Sequence, residues 1–168
     1  MKYISLLATL IVLFYAGTPA QARHKKQKKE KASAYQPVSV QIAYGPCFGR
    51  CPMYMIELDQ NGLVTFTGIR NTEDSGSFTR QIEPAEALRI LKLVETYRMD
   101  TCQDRYRVRI PDIQTYGYRI VYPKKDEKSI QNASFGPVYL KELAAELDQI
   151  GQKKKFGDWK RSVSQGKK

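Results

Sequence analysis

The residues in this chain best equipped for chemistry are two cysteines in a turn-rich stretch, Cys47-Phe48-Gly49-Arg50-Cys51-Pro52-Met53-Tyr54. One chemistry open to them is a structural disulfide. Three intervening residues, one of them Gly49, can bring the two Cα atoms into bonding range. Closing so short a loop stabilises a fold by about 2 kcal/mol in the chain-entropy model. A second is thiol–disulfide exchange, with Arg50 as a cation able to stabilise a thiolate. Reactive pairs sit at helix N-termini, where the helix dipole lowers a thiol pKa. Here Pro52 leads instead into an alternating, strand-like run, which favours the structural disulfide.

Copper is a third possibility for the same pair. Cys47 to Pro52 spells Cys-x3-Cys-Pro, which is similar to the motif of copper-delivering assembly proteins of the thioredoxin fold. Soft thiolates and an imidazole suit that metal. The single histidine, His24, lies in a basic run far from the cysteines. It would stand third in a mature chain only after cleavage at Gln21. Thiol redox or copper handling through Cys47 and Cys51 is therefore the alternative reading, and no bound metal or cofactor is expected. Cys102 is left over, as a small buried hydrophobe at a helix end or as a thiol able to cap or dimerise.

Other catalytic constellations are missing from the sequence. A Ser-His-Asp triad has no histidine in the part expected to fold, and neither paired carboxylates nor a glycine-rich phosphate loop is evident. The best binding candidate is the run Arg105, Tyr106, Arg107, Arg109 and Asp112, together with Arg50 and Tyr54 of the cysteine corner. Alternating arginines on an extended segment offer forked contacts to carboxylate or phosphate. A solvated charged loop is the plainer reading, with Asp104 and Asp112 as ion-pair partners of the arginines.

Charge is distributed unevenly. The 168 residues carry a net charge of +11, with 42% hydrophobic and 27% charged residues. Residues 23–31 hold six basic residues and one acid, and residues 153–168 hold seven and one. Between them, positions 32–152 carry 14 basic and 15 acidic residues. The sequence thus describes a near-neutral domain between two basic tails, which argues against nucleic acid as the partner. The tails are suited to solubility or to attraction toward an anionic envelope surface or envelope protein, worth about 1 kcal/mol per Lys or Arg near a charged membrane. Phe156 and Trp159 are positioned to pin the second tail to the domain or to dip into a membrane surface.

Upstream, Met1-Lys2, the apolar run Ile4 to Ala16 and the Ala20-Gln21-Ala22 site predict a signal peptide cleaved after Ala22. The apolar run is shorter than the roughly 20 residues that span a bilayer, so no transmembrane segment is expected after cleavage. Export, to the periplasm or beyond, would place the cysteines where disulfides persist.

Strand signals dominate the chain beyond the first basic run. Val38 to Tyr44 alternates, as does Met53 to Leu58 with Tyr54, Ile56 and Leu58 on one side. Asn61-Gly62 supplies a tight turn, Leu63 to Thr67 returns, Gly68 to Gly76 reads as a polar loop, and Ser77 to Ile82 as a fourth strand. Pro84 opens a helix with Leu88, Leu91, Val94 and Tyr97 on its apolar face. A long charged connection, Cys102 to Asp112, precedes a tyrosine-rich strand at Thr115 to Tyr122 and its partner at Lys128 to Ala133. Gly136-Pro137 opens a second helix carrying Leu140, Leu143, Leu147 and Ile150. Adjacent strands joined by tight turns imply an α+β fold, an antiparallel sheet built from hairpins with two helices packed on one face. The expected organisation is a signal peptide over 1–22, a basic linker over 23–37, one domain over 38–152 and a basic tail over 153–168.

The motif Cys47-x-Gly49-x-Cys51-Pro52-x-Tyr54, the Asn61-Gly62 turn and the return strand Val64-Thr65-Phe66-Thr67-Gly68 resemble a bacterial family catalogued as domain of unknown function 6438. The likeness runs on through Pro84, Tyr106 and Asp112, over residues 38–150. It implies a small exported envelope domain and brings no catalytic residue or ligand with it. Cys102 and both tails depart from the family's core pattern. The function expected from all of this is a non-catalytic exported envelope domain braced by a Cys47–Cys51 disulfide.

Overall fold

β-Branched and aromatic residues that alternate with polar ones fit a half-buried pleated surface. The computed structural model describes residues 36–106, 110, 112–152 and 157–162, all within the unit Ala32–Lys168. In it these runs become β1 (Ser39–Tyr44), β2 (Met53–Asp59), β3 (Leu63–Arg70), β4 (Gly76–Gln81), β5 (Tyr116–Val121), β6 (Glu127–Ile130) and β7 (Lys160–Arg161). They form one seven-stranded sheet in the order β6-β5-β1-β2-β3-β4-β7, and every neighbouring pair is antiparallel. With helices α1 (Pro84–Thr96) and α2 (Val138–Gly151), the domain is α+β. The expected signal peptide, most of the linker and the two ends of the basic tail (153–156 and 163–168) lie outside the described residues.

Period two decides what is buried. Val40 and Ile42 of β1, Ile56 and Leu58 of β2, Val64 of β3 and Ile120 of β5 are essentially inaccessible. They join one core with Ile90, Leu91 and Val94 of α1 and Leu140, Leu143, Leu147 and Ile150 of α2. Two element expectations are corrected. Leu88 is exposed, because α1 turns its Ala87, Ile90, Leu91 and Val94 stripe inward, the i, i+3, i+4, i+7 pattern of one helical face. The strand expected to stop at Thr67 continues to Arg70, since Gly68 is paired with Tyr54 on one side and Gly76 on the other. Ladder bonds on both flanks outweigh the poor strand propensity of glycine.

The turn between β2 and β3 is locked by Asp59, whose Oδ1 accepts the backbone N–H groups of Asn61 and Leu63, each at 2.9 Å. This is the aspartate-turn chemistry that fixes strand register.

Candidate functional site

Cys47 and Cys51 are disulfide-bonded, with Cα atoms 5.8 Å apart. Two amide side chains hold the corner from outside. Gln114 Nε2 donates to the carbonyls of Pro52 at 2.7 Å and Gly45 at 3.0 Å, and Asn71 Nδ2 donates to that of Cys51 at 3.3 Å. Phe48 and Arg50 stand exposed at the tip. The chain leaves the corner as β2, so no helix begins at either cysteine. Among the described residues no group of three or more His, Cys, Asp or Glu side chains is placed to hold a metal.

Next to this corner the sheet carries a row of aromatic rings. Tyr116 of β5 is registered opposite Tyr44 of β1, with ring centroids 5.4 Å apart. Tyr44 stacks on Tyr54 of β2 at 4.5 Å and Tyr54 on Phe66 of β3 at 5.6 Å, while Phe66 meets Trp159 edge-on at 6.3 Å. Asp148, in the last turn of α2, reaches down to this row. Tyr44 donates to its Oδ2 at 2.5 Å and Tyr54 to its Oδ1 at 3.1 Å. Burial holds the Asp148 carboxyl above its usual range, partly offset by those two hydroxyls. Burial, reinforced by Asp148, pushes both phenols far up. Tyr116 is pushed up to about 12 by burial and then by the nearby carboxylate. All three tyrosines therefore stay protonated at neutral pH, and Tyr44 and Tyr54 serve as donors.

Two close approaches shape the space above the rings. A Cβ on Gly68 would run into the carbonyl oxygen of Asp74 and lie 2.6 Å from Thr72 Oγ1, so only glycine lets segment 71–74 fold down over β3. A Cβ on Gly151 would collide with Ile56, so the end of α2 lies directly on β2. Between the folded-down segment, the disulfide corner and the end of α2 lies an open cleft of about 1160 Å³. Tyr54, Phe66, Trp159 and Asp148 line it, with Pro52, Asn71, Thr72, Glu73, Asp74 and Gln152 around them. The end of α2 is itself fastened by Arg80, whose Nε and one terminal nitrogen donate to the carbonyl of Ile150 at 3.0 and 2.7 Å. Trp159 covers that guanidinium, its ring centroid 5.4 Å away.

The model of a family described as a domain of unknown function (DUF6438) matches residues 38–151. The chain belongs to that family. No curated protein matches it. The match takes in the corner, Tyr44, Tyr54, Phe66, Tyr116 and Asp148 of this DUF6438 domain, and Trp159 lies beyond its end.

The candidates among the described residues stand in separate places. Tyr54 lines the cleft and Arg50 stands at the corner. Arg105 bridges to Gln131 at the end of β6 and donates to its Oε1 at 2.7 Å. Tyr106 is half-buried there, its ring against Gly136. Strands β5 and β1 lie between β6 and β2, so three strand spacings, roughly 14 Å, separate the two groups. Arg107 and Arg109 lie outside the described residues, and Asp112 is exposed in a left-handed conformation. Asp104 is paired with Lys128 at 2.6 Å. Cys102 is buried, its sulfur 3.3 Å from the Tyr139 hydroxyl.

Sequence reasoning missed Asp148, Tyr44, Phe66 and Arg80 as site residues. A signal for Asp148 was present: it follows Leu147 and stands four residues after the buried Ala144, a carboxylate at the margin of an apolar helical stripe. Arg80 carried a similar signal, on the inward parity of β4 with Phe78 and directly before Gln81-Ile82.

Proposed function

We propose that this protein is an exported, non-catalytic binding domain of the cell envelope. It receives a segment of another envelope component in the cleft over Tyr54, Phe66 and Trp159, and its basic tails draw it toward anionic surfaces or partners. On this reading the hairpins are the sheet's building units, both helices cover one face of it, and the disulfide is a brace. The observation that carries the proposal is the cleft, with aromatic rings on its floor and walls fixed by a cross-linked corner, a glycine-seated loop and a capped helix end. Its volume exceeds the 300–1,000 Å³ common for small-molecule pockets, which suits part of a chain. Among the described lining residues Asp148 is held by tyrosines that keep their protons. Reaction chemistry therefore has little to start from, whereas shape and rings are ready for contact. The apolar run before Ala22 supports export.

A photo-reactive side chain in place of Gln152, at the cleft, tests this in the full-length chain in cells. Adducts with envelope material are expected from that position and not from the same probe at Ser129 on β6. The processed chain in the envelope fraction is expected to begin at Arg23. Equal adducts from both positions, or none from Gln152, would overturn the binding reading; an unprocessed chain in the cytosol would overturn export.

A further inference from the structure

We infer that the cleft takes a cationic side chain, the ammonium or guanidinium of a basic peptide segment, with Asp148 as counter-charge and Tyr54, Phe66 and Trp159 as its ring walls. This rests on the cleft being the binding surface and adds the chemistry of what enters it.

The distribution of ion pairs makes the case. Glu146 is paired with Arg89, Glu95 with Lys92, Asp100 with Arg98, Asp104 with Lys128 and Glu127 with Arg119. These are pairs at the surface, where a partner matters least. Asp148 is half-buried against aromatic rings, where a partner matters most, and among the described residues its donors are two neutral hydroxyls. Among the described residues no Lys, Arg or His lines the cleft. Each carboxylate oxygen accepts one tyrosine and keeps capacity for a further donor.

The rings beside it point the same way. The electron-rich faces of Trp, Tyr and Phe attract ammonium and guanidinium groups, increasingly so as water is excluded. Glu73 and Asp74, engaged in contacts of their own, stand on the opposite wall and add negative potential. Among the described residues Asp148 is bonded to Tyr44 of β1 and Tyr54 of β2, and its charge also reaches Tyr116 and Tyr118 of β5. None of these is a cation at any pH. The space is many times that of one ammonium, so the cation arrives on a longer chain.

Trp159 is the only tryptophan and lines the cleft, so its emission reports occupancy. In the mature chain, acetyl-trilysine amide is expected to shift that emission saturably, and acetyl-triglutamine amide to do so at least tenfold more weakly. Asp148→Asn, which keeps size and an acceptor for one tyrosine, is expected to weaken trilysine at least tenfold. Should that variant fail to fold, Phe66→Leu removes a ring wall at similar volume and carries the same expectation of weakened binding. Equal affinity for the two peptides, or trilysine binding untouched in the variants, overturns the cationic inference. No shift with trilysine overturns it too. The adducts at Gln152 then tell whether the cleft reading survives.

Discussion

Replacing Arg80 by methionine tests how the cleft wall is held. Arg80 is 8% exposed and makes two donations to the Ile150 carbonyl, which is among those left unpaired at the end of α2. Losing a hydrogen bond from a charged donor costs about 1.5–3 kcal/mol, and losing a cation at a helix C-terminus a further 0.3–1 kcal/mol or so. Methionine keeps much of the stem's packing against Trp159, and removing a desolvated charge returns part of the loss. The Asp158 carboxylate, 4.0 Å away and 56% exposed, contributes little to this balance. The net expectation is a loss of about 2 kcal/mol, or a fall in melting temperature of roughly 8 °C for a domain of this size. Arg80→Lys should fall between, since an ammonium cannot reproduce the fork. Thermal melts followed by circular dichroism give the magnitude, and amide exchange gives the place: protection should be lost first in the final turn of α2. A methionine variant that melts with the wild type, or loses protection evenly along both helices, would refute the reasoning.

Three further expectations rest on the same geometry. Cys47→Ser/Cys51→Ser should lose about 2 kcal/mol from the five-residue loop alone, and its melting temperature should coincide with that of the reduced wild type; a stability unchanged by reduction would contradict the brace. Tyr118 donates to the Leu140 carbonyl at 2.5 Å, and burial raises its phenol well above the unfolded value near 10. Its contribution is therefore complete below about pH 10 and declines above it by about 1.4 kcal/mol per pH unit, so urea midpoints from pH 8 to 11.5 should fall less steeply for Tyr118→Phe than for the wild type. Tyr44→Phe/Tyr54→Phe/Asp148→Leu should melt at or above the wild-type temperature, because replacing a whole polar cluster by apolar groups is commonly neutral or stabilising by about 1–4 kcal/mol, while trilysine binding should disappear; a loss above about 2 kcal/mol would make the cluster structural.

What the sequence disclosed and what it hid divide along the range of the interactions. Alternation placed β1, β2, β5 and the Asn61-Gly62 turn, and helical spacing placed α2, because each depends on residues a few positions apart. The α1 face came out rotated at Leu88, since Leu88 and Ala87 both fit apolar series and only the packing surface decides between them. Gly68 read as loop because its strand pairing is supplied by Tyr54 and Gly76. The candidate site was the least legible. The arginine run and the cysteine corner drew attention through composition, yet Arg105 bridges to Gln131 just past β6 while the corner lies between β1 and β2. Tyr44, Tyr54 and Asp148 are 94 to 104 positions apart at their hydrogen bonds, and no local pattern links them. Of the two cleft-forming glycines, Gly68 was visible only as a member of a family motif, with no sign that segment 71–74 would press against it.

The local rules are broken at particular places. A carboxylate at the margin of α2's buried stripe, a charged residue inside β4 and two glycines in regular elements each cost stability where alanine, leucine or methionine would not. All four border one cleft: Asp148 and Gly151 line it, Gly68 seats its wall and Arg80 fastens the helix that ends in it. Gly117 of β5 is a further glycine inside a strand and does not line that opening. Selection for stability alone would drift Asp148 toward leucine, since marginal proteins accept such gains readily. An acid that, among the described residues, hydroxyls alone satisfy makes sense if something beyond them completes it. A cation delivered by a partner does so, and Asp148 then becomes the point at which folding free energy is exchanged for recognition.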